Sequence, residues 1–341
     1  MTSILKSTNK LVCKSIKTCE PINSIKPVKI PVQPMKPVVE PPFTKSNLRI
    51  STMVITAHWG VPIQLDNLFE LLKAVIIPIW LPMEGILKFE HKNMVIGSSH
   101  KDIFTNRKIT SKSFFNQSTI VLRRKINGGE ETEGKVNWKE VNVKLFANGG
   151  IQMTGVVSES FAYDAIQWLL KTLLVLPESP FIIPTVLPLD AAVAVAVAAV
   201  PSIASASVPV PAINRFSVQL INTDYTLNKF INQDALHKIL INEYNLFSML
   251  EKTIYQGVNT KFFYNTSSTG KGICECENFC KGQGIGAGNG ECKRITMSIF
   301  RTGRIIITGA RKIEQIETAY RFLNNVFERY HKEVLYQPNS I

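Results

Sequence analysis

Four cysteines in the C-terminal part of the chain have a spacing that could hold a metal ion. They follow the pattern C-x-C-x3-C-x11-C, at Cys274, Cys276, Cys280 and Cys292. Four thiolates suffice for a tetrahedral zinc site. The first pair is closer than the usual C-x2-C knuckle and no second close pair follows, so a flexible loop with free thiols is the alternative. The spacing therefore indicates a structural Zn²⁺ site, with the free-thiol loop as its rival.

The residues that usually perform catalysis show no comparable grouping. No G-x-S-x-G, H-E-x-x-H or phosphate-loop motif occurs. The glycines between positions 282 and 290 do not follow a strand and open a helix, as a nucleotide-binding loop would. The five histidines are scattered along the chain, at His58, His91, His100, His237 and His331. We therefore expect a protein that is not an enzyme and that requires no cofactor.

The composition indicates a negatively charged partner. The chain has 341 residues, a length that suggests about two domains. It carries 39 Lys and Arg against 26 Asp and Glu, a net charge of +13, which favours nucleic acid or an anionic membrane. The first residues lack the apolar core of a secretory signal, so we expect a reducing compartment with thiols free or metal-bound.

Two segments have the composition of a disordered arm or a linker. Residues 1–46 contain eight lysines and seven prolines, which predicts a disordered basic arm that either solubilises the protein or adds phosphate contacts. Residues 179–212 are rich in Ala, Val and Pro and predict a linker. A membrane span is the alternative there, but prolines and Asp190 interrupt the segment, and the unbroken run 191–200 is too short. We therefore expect no membrane partner.

The chain contains an internal repeat. LFANGGIQMTG (145–155) and IFRTGRIIITG (299–309) align in one register through two predicted strands and into the helix that follows. Phe146 aligns with Phe300, and Thr154 aligns with Thr308. A shared register of this length favours two pseudo-symmetric halves.

Each half is predicted as strand, helix, three strands and helix. Residues 74–114 of the first half are irregular, with a strand or hairpin at GILKFEHKNMVIG. We expect an α+β fold in which two repeats form one curved antiparallel sheet, a saddle, with helices on its convex face. The expected boundaries are 47–178 for the first repeat, 213–333 for the second with its Cys/Gly-rich insert at 265–293, and 334–341 for a tail.

One face of this sheet is expected to be open. In RIIITGA, Ile306 and Thr308 share one face, and Ile305 and Ile307 share the other. If helices cover the second face, the first is an almost uncharged surface of a basic protein, which is typical of a binding site. Burial of that face by another element is the alternative.

These motifs resemble the TATA-box-binding protein family, and in particular its divergent versions in large DNA viruses. IFRTGRIIITGARKIEQIETAYRFLNNVF is similar to the family's strand–turn–strand–helix signature, and LFANGGIQMTG is similar to the first-repeat version. YQGVNTKF and FNQSTIVLR resemble the segments that precede them. The resemblance covers about residues 48–178 and 213–331.

The resemblance implies that the concave face binds the DNA minor groove. Two aromatic pairs would wedge into base steps and kink the duplex, as TATA-box-binding protein does. The matching pairs are Phe115 with Phe146, and Tyr255 with Phe300, with Phe114 as the alternative to Phe115. Because the family's stirrup loops flank these wedges, the cysteine insert is expected beside Tyr255 and Phe300.

The family's groove-floor positions can be matched in the same way. Thr154 and Thr308 match its threonines, Ile306 matches a small apolar neighbour, and Gln152 departs from the pattern. When RISTMV is aligned with RFSVQL, the two positions that carry central asparagines in the family hold other residues here. A shifted alignment would place Asn222 at one of them. We therefore expect a relaxed sequence preference. The chosen alignment puts four residues on the groove floor: Thr52, Val54, Val218 and Leu220.

By this resemblance the protein is a transcription initiation factor that binds A·T-rich double-stranded DNA. General transcription factors and RNA polymerase subunits would be its protein partners. Basic side chains beside the face would meet phosphates; these are Arg123, Arg124, Lys125, Lys293, Arg294, Arg301 and Arg304. The alternative is a scaffold of the same fold that binds transcription proteins with weak or no DNA bending. The viral resemblance favours the host cytoplasm, at viral replication sites, or the virion, with the nucleus as the alternative.

Overall fold

The computed structural model describes residues 42–105, 116–126, 137–183 and 209–337. The strands in these ranges are β1 (Arg49–His58), β2 (Gly85–His91), β3 (Met94–Gly97), β4 (Gln117–Lys125), β5 (Trp138–Phe146), β6 (Gly150–Val156), β7 (Asn214–Thr226), β8 (Phe230–Ile231), β9 (Phe247–Glu251), β10 (Tyr255–Tyr264), β11 (Lys293–Phe300), β12 (Arg304–Ala310) and β13 (Leu335–Tyr336). The helices are α1 (Leu65–Leu72), α2 (His100–Thr105), α3 (Glu159–Leu174), α4 (Gln233–Asn242), α5 (Ile313–Arg329) and α6 (His331–Val334).

One large sheet joins the two repeats. Its strand order is β3-β2-β4-β5-β6-β1-β7-β12-β11-β10-β9, and each neighbouring pair is antiparallel. The first strands of the repeats, β1 and β7, pair at the centre of the sheet. From there β6, β5 and β4 lead outward in one repeat, and β12, β11 and β10 lead outward in the other. The predicted α+β class with two repeats in one antiparallel sheet is confirmed.

The core lies between one face of the sheet and the helices. Ile305 and Ile307 are fully buried on β12, whereas Ile306 and Thr308, which point to the opposite face, are partly exposed. The helices bury side chains spaced three and four residues apart, on one stripe each. These are Ala162, Ala165, Ile166 and Leu169 on α3, and Ile316, Ala319, Leu323 and Val326 on α5.

The glycines that mark the sequence repeat occupy equivalent tight turns. Gly149 follows β5 with φ 89°, and Gly303 follows β11 with φ 84°. A Cβ at either position would collide with a main-chain oxygen, that of Val61 or that of Lys229. Both positions therefore require glycine, for the left-handed conformation and for the close approach.

The first repeat contains more structure than predicted. The hairpin predicted at GILKFEHKNMVIG is confirmed as β2–β3, in which Phe89 pairs with Ile96, and it is followed by the short helix α2, which was not predicted. Residues 106–115 and 127–136 lie outside the described ranges. The first repeat therefore adds a strand and a helix to the pattern of the second.

Two predicted boundaries are wrong. The predicted disordered arm ends too late, because Phe43 is buried and its ring packs edge-on to Phe327 at 6.2 Å. The predicted tail also begins inside folded structure, since Val334 is fully buried and Leu335 pairs with Ile231. Residues 1–41 and 338–341 lie outside the described ranges, so the rest of those predictions is untested.

Both ends of the predicted linker contact the first repeat. Gln64 N donates to Pro180 O at 2.8 Å, and Ala212 N donates to Trp59 O at 3.0 Å. The part between them, residues 184–208, is outside the described ranges. Among the described residues, no helix combines the length and the apolar character needed to cross a membrane.

Candidate nucleic-acid interface

The open face of the sheet has a continuous centre that spans both repeats. Thr52 pairs with Asn222 and Val54 pairs with Leu220 across the β1–β7 junction. Thr154 on β6 is opposite Val54, and Thr308 on β12 is opposite Asn222. We call this surface the central strip; its members, all partly exposed, are Gln152, Thr154, Thr52, Val54, Leu220, Asn222, Thr308 and Ile306. The strip combines aliphatic side chains with hydroxyl and amide groups and carries no charge.

Val218 was predicted on this face, and that prediction is wrong. The register of β1 with β7 shifts between Val54–Leu220 and Ile55–Val218, so Gln219 is the bulged residue. Val218 is therefore on the core face with Ile55 and is 8% exposed. A bulge reverses the side-chain alternation beyond it, which an ungapped sequence alignment does not show.

Asn222 is the residue that the chosen alignment missed. Val54 and Asn222 each pair with the equivalent threonine of their own repeat, Thr154 and Thr308, so they are the structurally equivalent positions. Asn222 Oδ1 accepts a hydrogen bond from Thr308 Oγ1. This contact orients the amide so that, among the described residues, its Nδ2 donors have no protein partner. The aligned Thr-Gly positions of the two repeats, combined with antiparallel pairing of β6 with β1 and of β12 with β7, would have identified Asn222.

The second-repeat aromatic pair is assembled at the end of this face. The rings of Tyr255 and Phe300 lie 5.7 Å apart with an interplanar angle of 61°. Gly257 pairs with Phe300, and a Cβ there would come 2.9 Å from the Tyr255 ring. Tyr255 is 40% exposed and the neighbouring Ile254 is more exposed still. The structure thus brings these two predicted residues together with apolar edges facing solvent.

The first-repeat pair is described only in part. Phe146 ends β5, is partly exposed and pairs with Gln117, in the position that Phe300 has opposite Gly257. Phe115 lies outside the described residues. Its pairing with Phe146 stays a prediction.

The outer part of the open face in the first repeat is covered by the chain itself. Lys88 Nζ lies 3.0 Å from the Asp102 carboxylate, and Arg123 donates to Leu81 O and Ile79 O at 2.6 Å each. The His100 ring bonds to a Glu140 carboxylate oxygen. Lys88 and Arg123 are consequently buried, at 7% and 3% exposure. Burial by another element, the alternative considered for the whole face, therefore holds at this end.

The basic side chains predicted to meet phosphates divide by repeat. Arg124 contacts Glu84 at 2.8 Å and stacks over the Trp168 ring, on the helix side, so it is turned away from the open face, whereas Arg123 is on that face but buried. In the second repeat Arg294, Arg301 and Arg304 are exposed. Lys293, also predicted to meet phosphates, is buried. The exposed arginines of this set beside the open face are thus those of the second repeat, and the first repeat contributes the partly exposed Lys144, which pairs with Gln152.

Asp224 and Lys261 also lie on the second-repeat side of the face. Asp224 pairs with Ile306, and Arg49 binds its carboxylate at 2.9 and 3.1 Å while Arg304 approaches to 3.6 Å. Lys261 Nζ donates to Thr296 Oγ1 at 3.0 Å. Burial, and then the nearby Arg294, lowers the pKa of Lys261. Its ammonium group therefore gains from an added negative charge.

The four predicted cysteines converge. Their Sγ atoms all lie within 4.8 Å of one another, with Cys276–Cys292 at 3.3 Å and Cys274–Cys292 at 3.7 Å. Zn–S bonds of about 2.3 Å in a tetrahedron place sulfurs about 3.8 Å apart, so the geometry fits one such ion. Burial raises the pKa of the Cys292 thiol, whereas the bond from Cys292 lowers the pKa of Cys276.

The predicted position of this cluster is wrong. The insert joins the end of β10 at Tyr264 to the start of β11 at Lys293, which pair with each other. Tyr255 and Phe300 are at the opposite ends of the same two strands. Successive loops of an antiparallel meander lie alternately at the two ends of the strands, so the loop beside the aromatic pair is the β9–β10 turn instead.

Parts of this chain are similar to known proteins. A family model described as "Transcription factor TFIID (or TATA-binding protein, TBP)" matches residues 290–330, which include β11, β12 and α5. A "TATA-box-binding protein-like" protein of Acanthamoeba polyphaga mimivirus is 26% identical over 310 residues, 86% of this chain and 68% of that protein. The solved structure of Methanococcus jannaschii TBP aligns with a TM-score of 0.38 and 14% identity, over 84% of this chain and 99% of that one. The family match and the viral relative confirm the resemblance seen in the sequence: this chain is similar to TATA-box-binding protein-like proteins of a divergent, viral type.

Proposed function

We propose that the protein is a transcription initiation factor that binds duplex DNA in the minor groove through the central strip and bends it. The observation that carries this proposal is the uncharged strip across both repeats, ended by the Tyr255–Phe300 pair. Family and viral relative support a role of this broad kind. Bending and recruitment of other factors are the finer part of the proposal.

The chemistry of the strip suits an A·T-rich groove floor. Such a floor presents only acceptors, adenine N3 and thymine O2, beside apolar sugar edges. Aliphatic side chains can cover the sugars with little desolvation, and the Asn222 amide offers donors to the acceptors. One oriented amide supports a preference for A·T over G·C that is weaker than two would give.

The aromatic pair suits a wedge. Base steps are unstacked by apolar side chains inserted from the minor groove. The Tyr255 and Phe300 rings form one edge-to-face unit whose approach depends on Gly257. In this proposal that unit enters a base step at the second-repeat end, and Arg294, Arg301 and Arg304 contact phosphates and supply salt-dependent affinity.

A second candidate is a scaffold of the same fold that binds transcription proteins and bends DNA weakly or not at all. It is favoured by the covered first-repeat end, where Asp102 and the 79–81 turn occupy Lys88 and Arg123. The Asp224 carboxylate beside the strip favours it too, since it would face the phosphate-rich groove. Its pairing with Arg49 and Arg304 reduces that cost.

The remaining parts of the proposal rest on the resemblance to the family. The protein acts without catalysis, recruits general transcription factors and RNA polymerase subunits, and works at viral replication sites in the host cytoplasm. The four-cysteine cluster is assigned a structural Zn²⁺, since a closed set of four thiolates leaves no open position for substrate.

The wedge is tested by fluorescence transfer across an A·T-rich duplex, with binding measured by anisotropy. Tyr255→Ala with Phe300→Ala is expected to reduce both affinity and bend. The matched control is Phe230→Ala with Tyr336→Ala, because those rings lie a similar 5.9 Å apart and Tyr336 is also 40% exposed, but in the separate β8–β13 sheet. A wild-type bend in the first variant, or no DNA binding by the wild-type protein, would favour the scaffold.

A further inference from the structure

The insert between β10 and β11, residues 265–292, lies against the sheet mainly through its backbone. A Cβ at Gly286 would come 2.6 Å from the Tyr264 ring, so the main chain there rests on that ring. Gly284 N donates to Cys292 O at 3.0 Å, and Arg294 N donates to Gly282 O at 2.7 Å. Apart from glycines, Asn265 and Cys292 are the buried residues of the insert.

Ordering such a long segment therefore needs another source of free energy. Each fixed residue costs about 1–2 kcal/mol of backbone entropy, and loops of this length without helix or strand are uncommon unless something holds them. Burial of apolar side chains supplies little here, since Ile273 packs against the core only partly buried, and Phe279 and Ile285 are exposed. The four thiols meet where that missing stabilisation would act, and Asn265 Nδ2 donates to Cys292 Sγ at 3.5 Å, as a second shell does to a ligating sulfur.

We infer that a single Zn²⁺, bound by Cys274, Cys276, Cys280 and Cys292, folds the insert onto the second repeat and acts as a metal staple. This deepens the structural zinc of the proposed function and does not depend on DNA binding. The first repeat has no counterpart, because the sequence contains no cysteine between Cys19 and Cys274. Metal binding and folding of the insert are then one equilibrium.

The insert contacts the start of α5 as well as the sheet. Gln315, in the first turn of α5, donates its Nε2 to Ile285 O at 2.9 Å and accepts at Oε1 from Arg311 N at 2.9 Å. Asn265 Nδ2 also donates to Gly288 O at 2.7 Å. Loss of the metal should therefore loosen the insert and the start of α5. The opposite ends of β10 and β11 stay anchored by buried Val258 and Ile299.

The ligand set restricts the metal. Four thiolates in a tetrahedron select zinc or iron over magnesium and calcium, which prefer oxygen. Sulfurs within 4.8 Å of one another leave room for one ion at bonding distance. We commit to zinc, and iron is an outcome that the experiment separates.

The test combines metal analysis with hydrogen exchange on the full chain purified under reducing conditions. Wild type and Cys19→Ser, the matched substitution outside the cluster, are expected to carry one zinc per chain. Cys280→Ser is expected to carry at least tenfold less. Removing zinc with a chelator should reduce amide protection in the insert and the first turn of α5 by about tenfold or more. Strands β4 and β5 of the first repeat, which are far from the cluster, should be unchanged.

Each contrary result has its own meaning. Protein that binds no zinc after refolding with equimolar Zn²⁺ and intact thiols would overturn the site. Iron in place of zinc would overturn the choice of metal, and bound zinc whose removal leaves exchange unchanged would overturn the staple. None of these readouts involves DNA, so they are separable from failure of the proposed function.

Discussion

Gly257→Ala separates the geometry of the aromatic pair from the stability of the fold. The added methyl would come 2.9 Å from the Tyr255 ring and 3.2 Å from the Phe300 ring, both closer than ordinary contact. The backbone at this position does not need glycine, since its φ is not positive. The rings must therefore move apart, and their edge-to-face contact is lost.

The stability terms nearly cancel. An aromatic pair contributes about 0.5–1.5 kcal/mol beyond burial. Replacing glycine by alanine inside a strand returns about 0.5–1 kcal/mol of conformational entropy. The net change in the free energy of unfolding is thus within about 1 kcal/mol, or a Tm shift of about 4 °C at most.

The DNA bend should change much more than Tm. Because the wedge requires both rings in one unit, fluorescence transfer across the duplex should report a smaller bend and anisotropy a weaker affinity. Gly150→Ala is the matched control, since a Cβ there is at an ordinary 3.6 Å from the Phe146 ring and meets only the movable Asn148 side chain more closely. A wild-type bend in Gly257→Ala, or a loss of several kcal/mol in unfolding, would refute the reasoning.

Three other substitutions test separate features. Phe43→Ala should cost about 3–5 kcal/mol in denaturant unfolding, because it empties a buried site against Phe327; a change below 1 kcal/mol would show that residues 42–46 do not belong to the core. Asn222→Leu should narrow the A·T over G·C preference in competition binding by about 1–3 kcal/mol, and an unchanged preference would remove Asn222 from base readout. Lys261→Met should reduce the slope of log affinity against log salt concentration by about one. It should also remove a rise in the free energy of unfolding with pH just below pH 10.5. That rise is expected because folding lowers the pKa of Lys261, so that the unfolded chain binds more protons in this pH range. An unchanged slope would argue against a phosphate contact.

The repeat could be predicted from the sequence because local chemistry fixes it. Gly149 and Gly303 must be glycine for their turns, and Thr154 and Thr308 follow at the same spacing, so the register was visible without a structure. The alignment to the family placed the central strip correctly except that it included Val218 and missed Asn222.

The rest depends on contacts between distant residues. The bulge at Gln219 turns Val218 to the core face, and nothing in the local sequence marks it. The position of the cysteine cluster depends on which loop of the meander carries it, and identifying that loop requires the strand order. The cover over Lys88 depends on Asp102 in a segment that had no clear periodicity.

That cover makes the two ends of the molecule unequal. A perfectly two-fold saddle could sit on a duplex in either direction with the same energy. Here one end presents an open aromatic pair with exposed arginines, and at the other α2 and the 79–81 turn occupy the floor. If the face binds DNA as proposed, a difference of only about 1.4 kcal/mol between the two placements gives a tenfold bias. The intramolecular cover would then favour one orientation of the bound protein along the duplex. Any protein that assembles on its helices would take its direction from that orientation.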